Sequence, residues 1–155
     1  NELEPQIQEK GCQVSLEFPK EKIAKVNADK VLLRQVISNL LTNAIRYSSG
    51  AKKGQIIISV AVSPQAYTIG VKDNGIGIPK EVQAHIFEKF FRADNARAIV
   101  ADGNGLGLYL AKQIMDSSGG TIGFSSEDGQ GTTFYVTIPL SGMKSKAGEK
   151  GLEGA

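Results

Sequence analysis

The sequence has few of the residues that mark disulfide-stabilised, metal-cluster or membrane-spanning proteins. Its 155 residues include one cysteine, one histidine and no tryptophan, and only 6% are aromatic. A single cysteine, Cys12, excludes an internal disulfide and is typical of a reducing compartment. No apolar run approaches the roughly 18 residues that a membrane helix needs. The first residues also lack the basic start and apolar stretch of a signal peptide.

The sequence also has little excess of positive over negative charge. The formal net charge is +2, which is too small to indicate binding to nucleic acid or to a membrane surface. Hydrophobic residues make up 41% and charged residues 22%, as in ordinary globular proteins. We therefore expect a soluble, intracellular protein with one compact domain.

Patterning divides the chain into three parts. Residues 1–11 are polar and are interpreted as the remnant of an upstream helix or linker. Residues 12–140 alternate strand and helix patterns and form the predicted domain. Residues 141–155 are rich in glycine and lysine without apolar periodicity, which predicts a disordered tail.

Within the domain, strands are predicted over 13–18, 55–62, 67–72, 121–126 and 132–140, and the alternating apolar residues of 13–18 have the period of a half-buried strand. Apolar residues three and four apart predict a helix that Asp29 caps and that runs to about Tyr47. A short helix is predicted from Pro79, and a third from near Gly105. Residues 92–104 lack periodicity, which predicts a mobile loop. The fold class is α/β (α+β), a two-layer sandwich with a mixed, mostly antiparallel sheet and helices on one face.

Two asparagines on the long helix are the first candidates for chemistry. Asn39 and Asn43 are one turn apart, and Arg46 lies on the same stripe. An unpaired amide against a core costs about 1–3 kcal/mol, so two of them one turn apart indicate that each has a partner. They either cap backbone groups of a neighbouring loop or supply oxygen ligands to a hard cation such as Mg²⁺. The pattern alone leaves both readings open.

Asp73 ends a predicted strand at a glycine-rich turn. An aspartate there often accepts hydrogen bonds from its own turn, but a carboxylate in a pocket could instead accept from the exocyclic amine of adenine. Gly75 and Gly77 would let the backbone pass close to a flat ring.

A second glycine-rich loop, GNGLGL over residues 103–108, leads directly into a helix. Free N–H groups and the helix dipole at such a start form an anion site that suits a triphosphate. The loop matches neither the Walker A pattern nor the dinucleotide fingerprint, and alone it is weak evidence. A third segment, GQGTTF over 129–134, has the composition of a hairpin turn.

Taken together and in order, these segments resemble the catalytic domain of sensor histidine kinases. The resemblance rests on NLLTNAIRY (39–47, the N box), DNGIGIP (73–79, G1), IFEKFFR (86–92, F), GNGLGL (103–108, G2) and GQGTTF (129–134). It covers about residues 12–140. It implies a Bergerat-type ATP-binding fold with a flexible lid over the nucleotide.

The resemblance also implies roles at matching positions. Asn43 would hold Mg²⁺, Asn39 would support the phosphates, Arg46 would contact phosphate and Tyr47 would stack near adenine. Asp73 would accept from the adenine amine, and Arg92 would reach the γ-phosphate. The remaining nucleotide-binding positions would be Gly75, Gly77, Gly103, Gly105, Leu106, Gly107 and Thr132.

As a family member, the chain would bind ATP with Mg²⁺ and donate the γ-phosphoryl group to a histidine on a separate dimerisation domain that is absent from this chain. Phe87, Phe90 and Phe91 would be partly core and partly a docking surface for that domain. The fragment would be a monomer and its parent a homodimer that acts on a response regulator. The catalytic domain of such a kinase lies in the cytoplasm, and many parents are anchored in the membrane.

Two positions depart from the family pattern. Asn104 occupies a place where Ser or Thr is common in the lid. The single histidine, His85, lacks the adjacent acidic residue and preceding helix of a phosphoacceptor, so we interpret it as a surface or packing residue.

There are two alternatives, one an enzyme of the same fold and one from a different functional class. An ATP hydrolase or serine kinase of the same fold carries a glutamate four residues before the metal-binding asparagine as general base. Asn39 occupies that position here, which favours the histidine kinase. A non-catalytic nucleotide sensor would be expected to have degenerate glycine boxes, and the boxes here are intact.

Overall fold

The computed structural model describes residues 3–20, 23–48, 53–99 and 103–143. The helices are α1 (Glu4–Glu9), α2 (Lys30–Tyr47), α3 (Asp94–Ile99) and α4 (Gly107–Ser117), with a 3₁₀ helix over Lys80–His85. The strands are β1 (Gln13–Glu17), β2 (Gln55–Val62), β3 (Ala66–Asp73), β4 (Thr121–Glu127) and β5 (Gly131–Pro139).

The five strands form one sheet in the order β1-β2-β3-β5-β4. β1 is parallel to β2, and the other three pairs are antiparallel. In the register, Val71 of β3 lies opposite Ile58 on one side and Phe134 on the other. This confirms the predicted mixed, mostly antiparallel sheet.

The core lies between one face of this sheet and the helices α2 and α4. Val36 and Leu40 of α2 and Met115 of α4 are fully buried, and they pack in one cluster with sheet residues such as Ile56 and Val136. The opposite face carries polar side chains, among them Lys72, which is exposed, and the pair Thr68 and Thr137, whose hydroxyls lie 3.4 Å apart. Period-two alternation in the strands thus separates a buried face from a solvated one.

The start of α2 follows from its capping residue. Asp29 is extended, and its carboxylate accepts from the backbone N–H groups of Val31 at 2.8 Å and Leu32 at 3.1 Å. These bonds satisfy donors that the first helical turn cannot pair. The cap predicted from the sequence is confirmed, and it fixes the helix that carries Asn39 and Asn43.

The prediction that the first strand is half-buried is wrong. All five residues of β1 are exposed, and Leu16 keeps 60% of its surface accessible. β1 is an edge strand, whereas α2 packs on β3 and α4 on β4. The alternation of Val14 and Leu16 does mark the core face, but neither long helix packs on that edge.

Two segments predicted to lack structure are partly ordered. Residues 94–99, inside the predicted mobile loop, form α3, while residues 100–102 lie outside the described residues. The predicted disordered tail is wrong for its first residues: Met143 is buried, and its N–H donates to the Asn27 carbonyl at 2.7 Å. Residues 144–155 lie outside the described residues, so disorder there stays a prediction, as does the boundary at residue 11.

None of the helices in the described parts of the chain is long and apolar enough to cross a bilayer.

Candidate functional site

A cavity of about 360 Å³ opens between α2, the loop after β3, the segment around α3 and the start of α4. Its size is in the range of small-molecule sites. Twelve of the thirteen residues predicted from the sequence line it: Asn39, Asn43, Arg46, Tyr47, Asp73, Gly77, Arg92, Gly103, Gly105, Leu106, Gly107 and Thr132. Residues more than 90 positions apart in the sequence therefore line the same cavity.

The asparagine pair lies on the α2 wall of this cavity. Within the described residues, the Nδ2 of Asn39 is buried and has no hydrogen-bond partner. The Asn39 side chain faces Gly107 at the start of α4. A buried, unsatisfied donor costs about 1–3 kcal/mol. The reading in which Asn39 caps a neighbouring backbone group therefore finds no support, and a ligand acceptor would complete the arrangement.

Asp73 is buried at the end of β3, with 6% of its surface exposed. Its Oδ1 accepts from the N–H groups of Gly75 at 2.9 Å and Thr132 at 3.3 Å. Among the described residues, Oδ2 receives no hydrogen bond. Burial raises the pKa of this carboxyl to about 6, and the two backbone N–H groups offset part of that rise. The turn-anchoring role and an open acceptor are thus combined in one side chain.

Gly75 is the predicted site residue that does not line the cavity. It lies against the end of α2, where an added Cβ would collide with the Tyr47 carbonyl oxygen. The neighbouring Ile76 N–H donates to the same carbonyl at 3.2 Å. The glycine is needed because the loop passes directly over the helix terminus, and its N–H orients Asp73. Direct nucleotide contact is not favoured by this position.

A hydroxyl network joins the G1 loop to the β4–β5 hairpin. Ser126 Oγ lies 2.8 Å from Thr132 Oγ1 and accepts from the Ile78 N–H at 2.9 Å. Gln83 donates to the carbonyls of Ile78 and Ser126 at 2.9 and 3.2 Å. The network holds Asp73 and Thr132 in a fixed relation, since each belongs to one of the joined segments.

The three phenylalanines predicted to be partly core and partly docking surface have different surroundings. Phe87 contacts Phe124 and Phe134 edge-on and belongs to the core. Phe91 lines the cavity. Phe90 is 62% exposed, has a positive φ of 66°, and lies beneath the Lys89 ammonium at 5.0 Å. Only Phe90 of the three is exposed enough to present an apolar surface.

The segment between Phe90 and Gly105 corresponds to the lid named by the resemblance, and its two ends are hydrogen-bonded to each other. Arg92 Nη1 donates to the Gly103 carbonyl at 3.0 Å, and the Phe90 N–H donates to the Gly105 carbonyl at 3.1 Å. Asn104, the departure from the family pattern, accepts from the Leu106 N–H at 3.1 Å. It therefore makes the short turn that leads into α4, a role open to Ser or Thr as well.

The cavity is electrostatically asymmetric. Arg46 and Arg92 line it, and Asp73 is the one carboxylate among the described lining residues. No group of three or more His, Cys, Asp or Glu side chains in the described residues could hold a metal ion. A divalent cation would therefore depend on amide oxygens and on the ligand's own charge.

Several residues that line the cavity were not predicted from the sequence. Thr42 is three residues from Asn39 on α2, so helical spacing could have identified it, and Ile76 and Ile78 lie inside the recognised G1 box. Asn95 and Ala96 come from the segment without periodicity, where no sequence signal pointed to them. His85 lies outside the cavity; its Nδ1 lies 2.8 Å from Glu88 and its side chain is half exposed.

Comparison with known proteins places the chain in a family. The profile described as "Histidine kinase-, DNA gyrase B-, and HSP90-like ATPase" matches residues 28–142. Over 124 residues the chain is 40% identical to the sensor protein kinase WalK of Staphylococcus epidermidis, covering 79% of this chain and 20% of WalK. WalK of Staphylococcus aureus is 39% identical over the same length, with 29% of that protein covered. The chain spans only about a fifth to a third of these curated relatives.

Solved structures show the same relation. The catalytic domain of the histidine kinase ThkA in a nucleotide-free form superposes with a TM-score of 0.73 at 28% identity, covering 89% of this chain and 86% of that one. Full-length ShkA in complex with AMPPNP gives a TM-score of 0.74 at 25% identity, covering 94% of this chain and 28% of that one. The chain belongs to the histidine kinase-, DNA gyrase B- and HSP90-like ATPase family, and it is an ATP-binding catalytic domain of the sensor histidine kinase type.

Proposed function

We propose that the cavity binds ATP with Mg²⁺ and that the domain donates the γ-phosphoryl group to a histidine on a separate phosphoacceptor domain. The observation that carries the proposal is the convergence of twelve predicted residues from five sequence motifs on one cavity. ShkA, which has the same fold, was solved with the ATP analogue AMPPNP.

Asp73 is suited to recognise the adenine. Its Oδ1 is occupied by two backbone donors, and Oδ2 is available to accept from the exocyclic amine. Thr132 donates its N–H to the same carboxylate and so positions it. Gly77 and Ile78 supply the neighbouring wall, and Tyr47 the stacking surface named by the resemblance.

The phosphates are assigned to the α2 and α4 walls. Asn39 offers a buried Nδ2 without a partner in the described residues, and Arg46 adds positive charge from the same helix. α4 begins at Gly107, within the GNGLGL segment, so its N-terminal N–H groups and dipole favour an anion. Gly103, Gly105 and Leu106 bring the loop backbone to this side of the cavity.

Magnesium fits the donor set of the cavity. The Asn43 amide oxygen is the assigned ligand, and a neutral ligand is sufficient when phosphates provide most of the negative charge. When bound, the ion would neutralise charge on the phosphate oxygens. The protein's own contribution is to hold Asn43 on a rigid, capped helix.

In the transfer, an imidazole nitrogen of the acceptor forms a bond to the γ-phosphorus while the bond to the β-phosphate oxygen breaks, and ADP leaves. Arg92 lies on the cavity wall, hydrogen-bonded to Gly103, and is assigned to stabilise negative charge on the transferred group. Because Arg92 also donates to Gly103, a phosphate bound by Arg92 would stabilise the contact between the two ends of the lid as well.

The hydrolase and serine-kinase alternatives need a general base that can activate water or a hydroxyl. Asp73 is the one carboxylate among the described lining residues, and its Oδ1 is held by two backbone donors. Position 39 holds an amide, which has no useful basicity. The cavity is therefore better suited to transfer to a nucleophilic imidazole than to hydrolysis.

The parent protein is proposed to be a homodimeric sensor kinase whose catalytic domain lies in the cytoplasm, with membrane anchoring elsewhere in the parent and a response regulator as the downstream acceptor. The helices that dimerise the parent are proposed to carry the acceptor histidine. Because dimerisation depends on those helices, the isolated domain is expected to be monomeric. It should not phosphorylate itself, since His85 is paired with Glu88 outside the cavity.

Titration calorimetry tests the binding step. We expect the domain to bind ATP and ADP, with tighter binding when Mg²⁺ is present. Folded protein that binds neither nucleotide would contradict the proposal.

A transfer assay tests the reaction. The domain is mixed with a dimeric phosphoacceptor domain and labelled ATP, and acid-labile phosphate on the acceptor histidine is expected. Release of inorganic phosphate without labelling of the acceptor would favour the hydrolase, and nucleotide binding without either reaction would favour a non-catalytic sensor.

A further inference from the structure

Asn95, in the first turn of α3, has one end of its amide hydrogen-bonded and the other end without a partner among the described residues. Its Nδ2 donates to the Gly77 carbonyl at 3.3 Å. Within the described residues, its Oδ1 is enclosed and has no hydrogen-bond partner. Asn95 lines the cavity together with Gly77, Ile78 and Ala96. No sequence motif includes this residue.

The orientation of the amide follows from its neighbour. The carbonyl oxygen of Gly77 can only accept a hydrogen bond, so the amide nitrogen must face it. A reversed amide would bring two oxygens together and would leave the Nδ2 without an acceptor. Oδ1 is therefore the end that lacks a partner.

An enclosed acceptor without a donor is unfavourable, because it has lost its hydrogen bonds to water. At a cavity wall, a bound ligand can supply the missing donor. ATP carries its hydrogen-bond donors on the nucleoside, namely the amino group of the base and the ribose hydroxyls. The ionised phosphate oxygens only accept, so the phosphates cannot satisfy Oδ1.

We propose that Asn95 is a nucleoside-binding residue that also fastens the lid. Its Nδ2 holds α3 against the G1 loop at Gly77, and its Oδ1 accepts a hydrogen bond from the amino group or a ribose hydroxyl of the bound nucleotide. The inference rests on the proposed ATP binding. It adds a contact that connects recognition of the nucleoside to the position of the segment over it.

Calorimetry with ATP analogues tests the contact. Wild type and Asn95→Ala are titrated with ATP, 2′-deoxy-ATP, 3′-deoxy-ATP and purine riboside triphosphate, which lacks the amino group. We expect Asn95→Ala to weaken ATP binding about 5- to 20-fold. For the analogue that lacks the bonded donor, Asn95→Ala should bind about as tightly as wild type. That analogue identifies whether the base or the sugar is bound. Purine riboside triphosphate also loses the proposed contact with Asp73, but it does so equally in both proteins.

Equal weakening for all four ligands would overturn the contact, because a purely structural effect does not depend on the donor. An unchanged ATP affinity would overturn it as well. If wild type binds none of the ligands, the proposed function fails instead. Gln113→Ala, which removes an exposed amide from α4 outside the cavity lining, is the matched control.

Hydrogen exchange without ligand tests the lid contact. The backbone amides of residues 97–99, which donate within α3, are expected to exchange faster in Asn95→Ala than in wild type, while α4 is unchanged. Equal exchange would overturn the fastening role. Asn95→Ser, a smaller polar replacement, provides a second variant if the alanine protein does not fold.

Discussion

At the scale of single residues, Asp73 shows how a binding group can oppose stability. Folding buries its carboxyl and raises its pKa from 3.8 to about 6. The two backbone donors to Oδ1 compensate only part of the lost hydration. A carboxylate nevertheless suits an adenine amine, because the amine donates hydrogen bonds and an ionised carboxylate can only accept them.

Asp73→Asn should weaken the binding of adenine nucleotides by ~1.5–3 kcal/mol, since the amide can present a donor where an acceptor is needed. Calorimetry with ATP and ADP measures the change. Glu127→Gln, which neutralises an exposed carboxylate at the end of β4, should leave the affinity unchanged. Equal affinities of Asp73→Asn and wild type would show that Asp73 does not contact the base.

The same substitution should stabilise the domain without nucleotide above pH 6. Because folding raises the pKa, the folded state holds this proton more tightly than the unfolded state. The protonated form is fully present below about pH 4, and its stabilising contribution is lost as the pH rises through about 6. Asp73→Asn should therefore be more stable than wild type by up to about 3 kcal/mol at pH 7, and the difference should disappear near pH 4. Urea unfolding at both pH values measures it, and a pH-independent difference would contradict the assignment.

Nucleotide affinity should have the opposite pH dependence. Protonation of Asp73 places a hydrogen on the acceptor, so ATP binding should weaken as the pH falls through about 6 in wild type. Asp73→Asn should lack this component. A wild-type affinity that is flat between pH 5 and 7.5 would contradict the role of the carboxylate.

At the scale of elements, the segment over the cavity depends on how its two ends meet. Gly105 has φ of +67°, and a Cβ there would lie 2.7 Å from the Phe90 carbonyl carbon. Phe90 itself has a positive φ and donates its N–H to the Gly105 carbonyl. The F box and the G2 loop are thus fitted together at the backbone.

Gly105→Ala should destabilise the domain by more than about 1 kcal/mol, because the left-handed conformation and the close approach both oppose a side chain. It should also weaken ATP binding, since the loop supplies Leu106 and Gly107 to the cavity. Urea unfolding and calorimetry measure the two effects. Gly123→Ala in β4 is the control, because a Cβ there has no atom within 4 Å. Similar behaviour of the two variants would contradict the account of Gly105.

At the scale of the whole molecule, Phe90 is one of several large apolar side chains that stay exposed. Phe90 adjoins Phe91, which lines the cavity, and Leu16 is about equally exposed on the edge strand β1. An exposed phenylalanine next to the transfer site is suited to contact the domain that brings the acceptor histidine.

Phe90→Ala should lower the rate of phosphoryl transfer to a separate phosphoacceptor domain by at least about 10-fold, as expected when an aromatic contact of an interface is removed. Binding of ATP should be unchanged, because Phe90 does not line the cavity. Leu16→Ala, which truncates a side chain of similar exposure, should transfer at the wild-type rate. Equal rates for both variants would exclude Phe90 from the docking surface.

How far the sequence predicts this molecule depends on the range of the interactions involved. The Asp29 cap and the strands of the sheet follow from neighbours in sequence, and they were predicted correctly. α3 and the burial of Met143 were not, because these segments lack periodicity of their own and are held by distant partners such as Gly77 and Asn27. The exposure of β1 was missed because an alternating pattern marks a face without indicating whether a helix covers it.

The family and the catalytic type of the domain were determined by the sequence alone, because spaced glycine and asparagine motifs reflect local backbone and ligand requirements. The tertiary structure decided which of these residues face one cavity. Gly75 lies against the end of α2 and outside the cavity lining. Phe90 is exposed, whereas Phe87 and Phe91 are partly buried. Asn95 donates a hydrogen bond to Gly77. Such assignments depend on packing between segments that are far apart in the chain, and the spacing of residues along the sequence does not contain them.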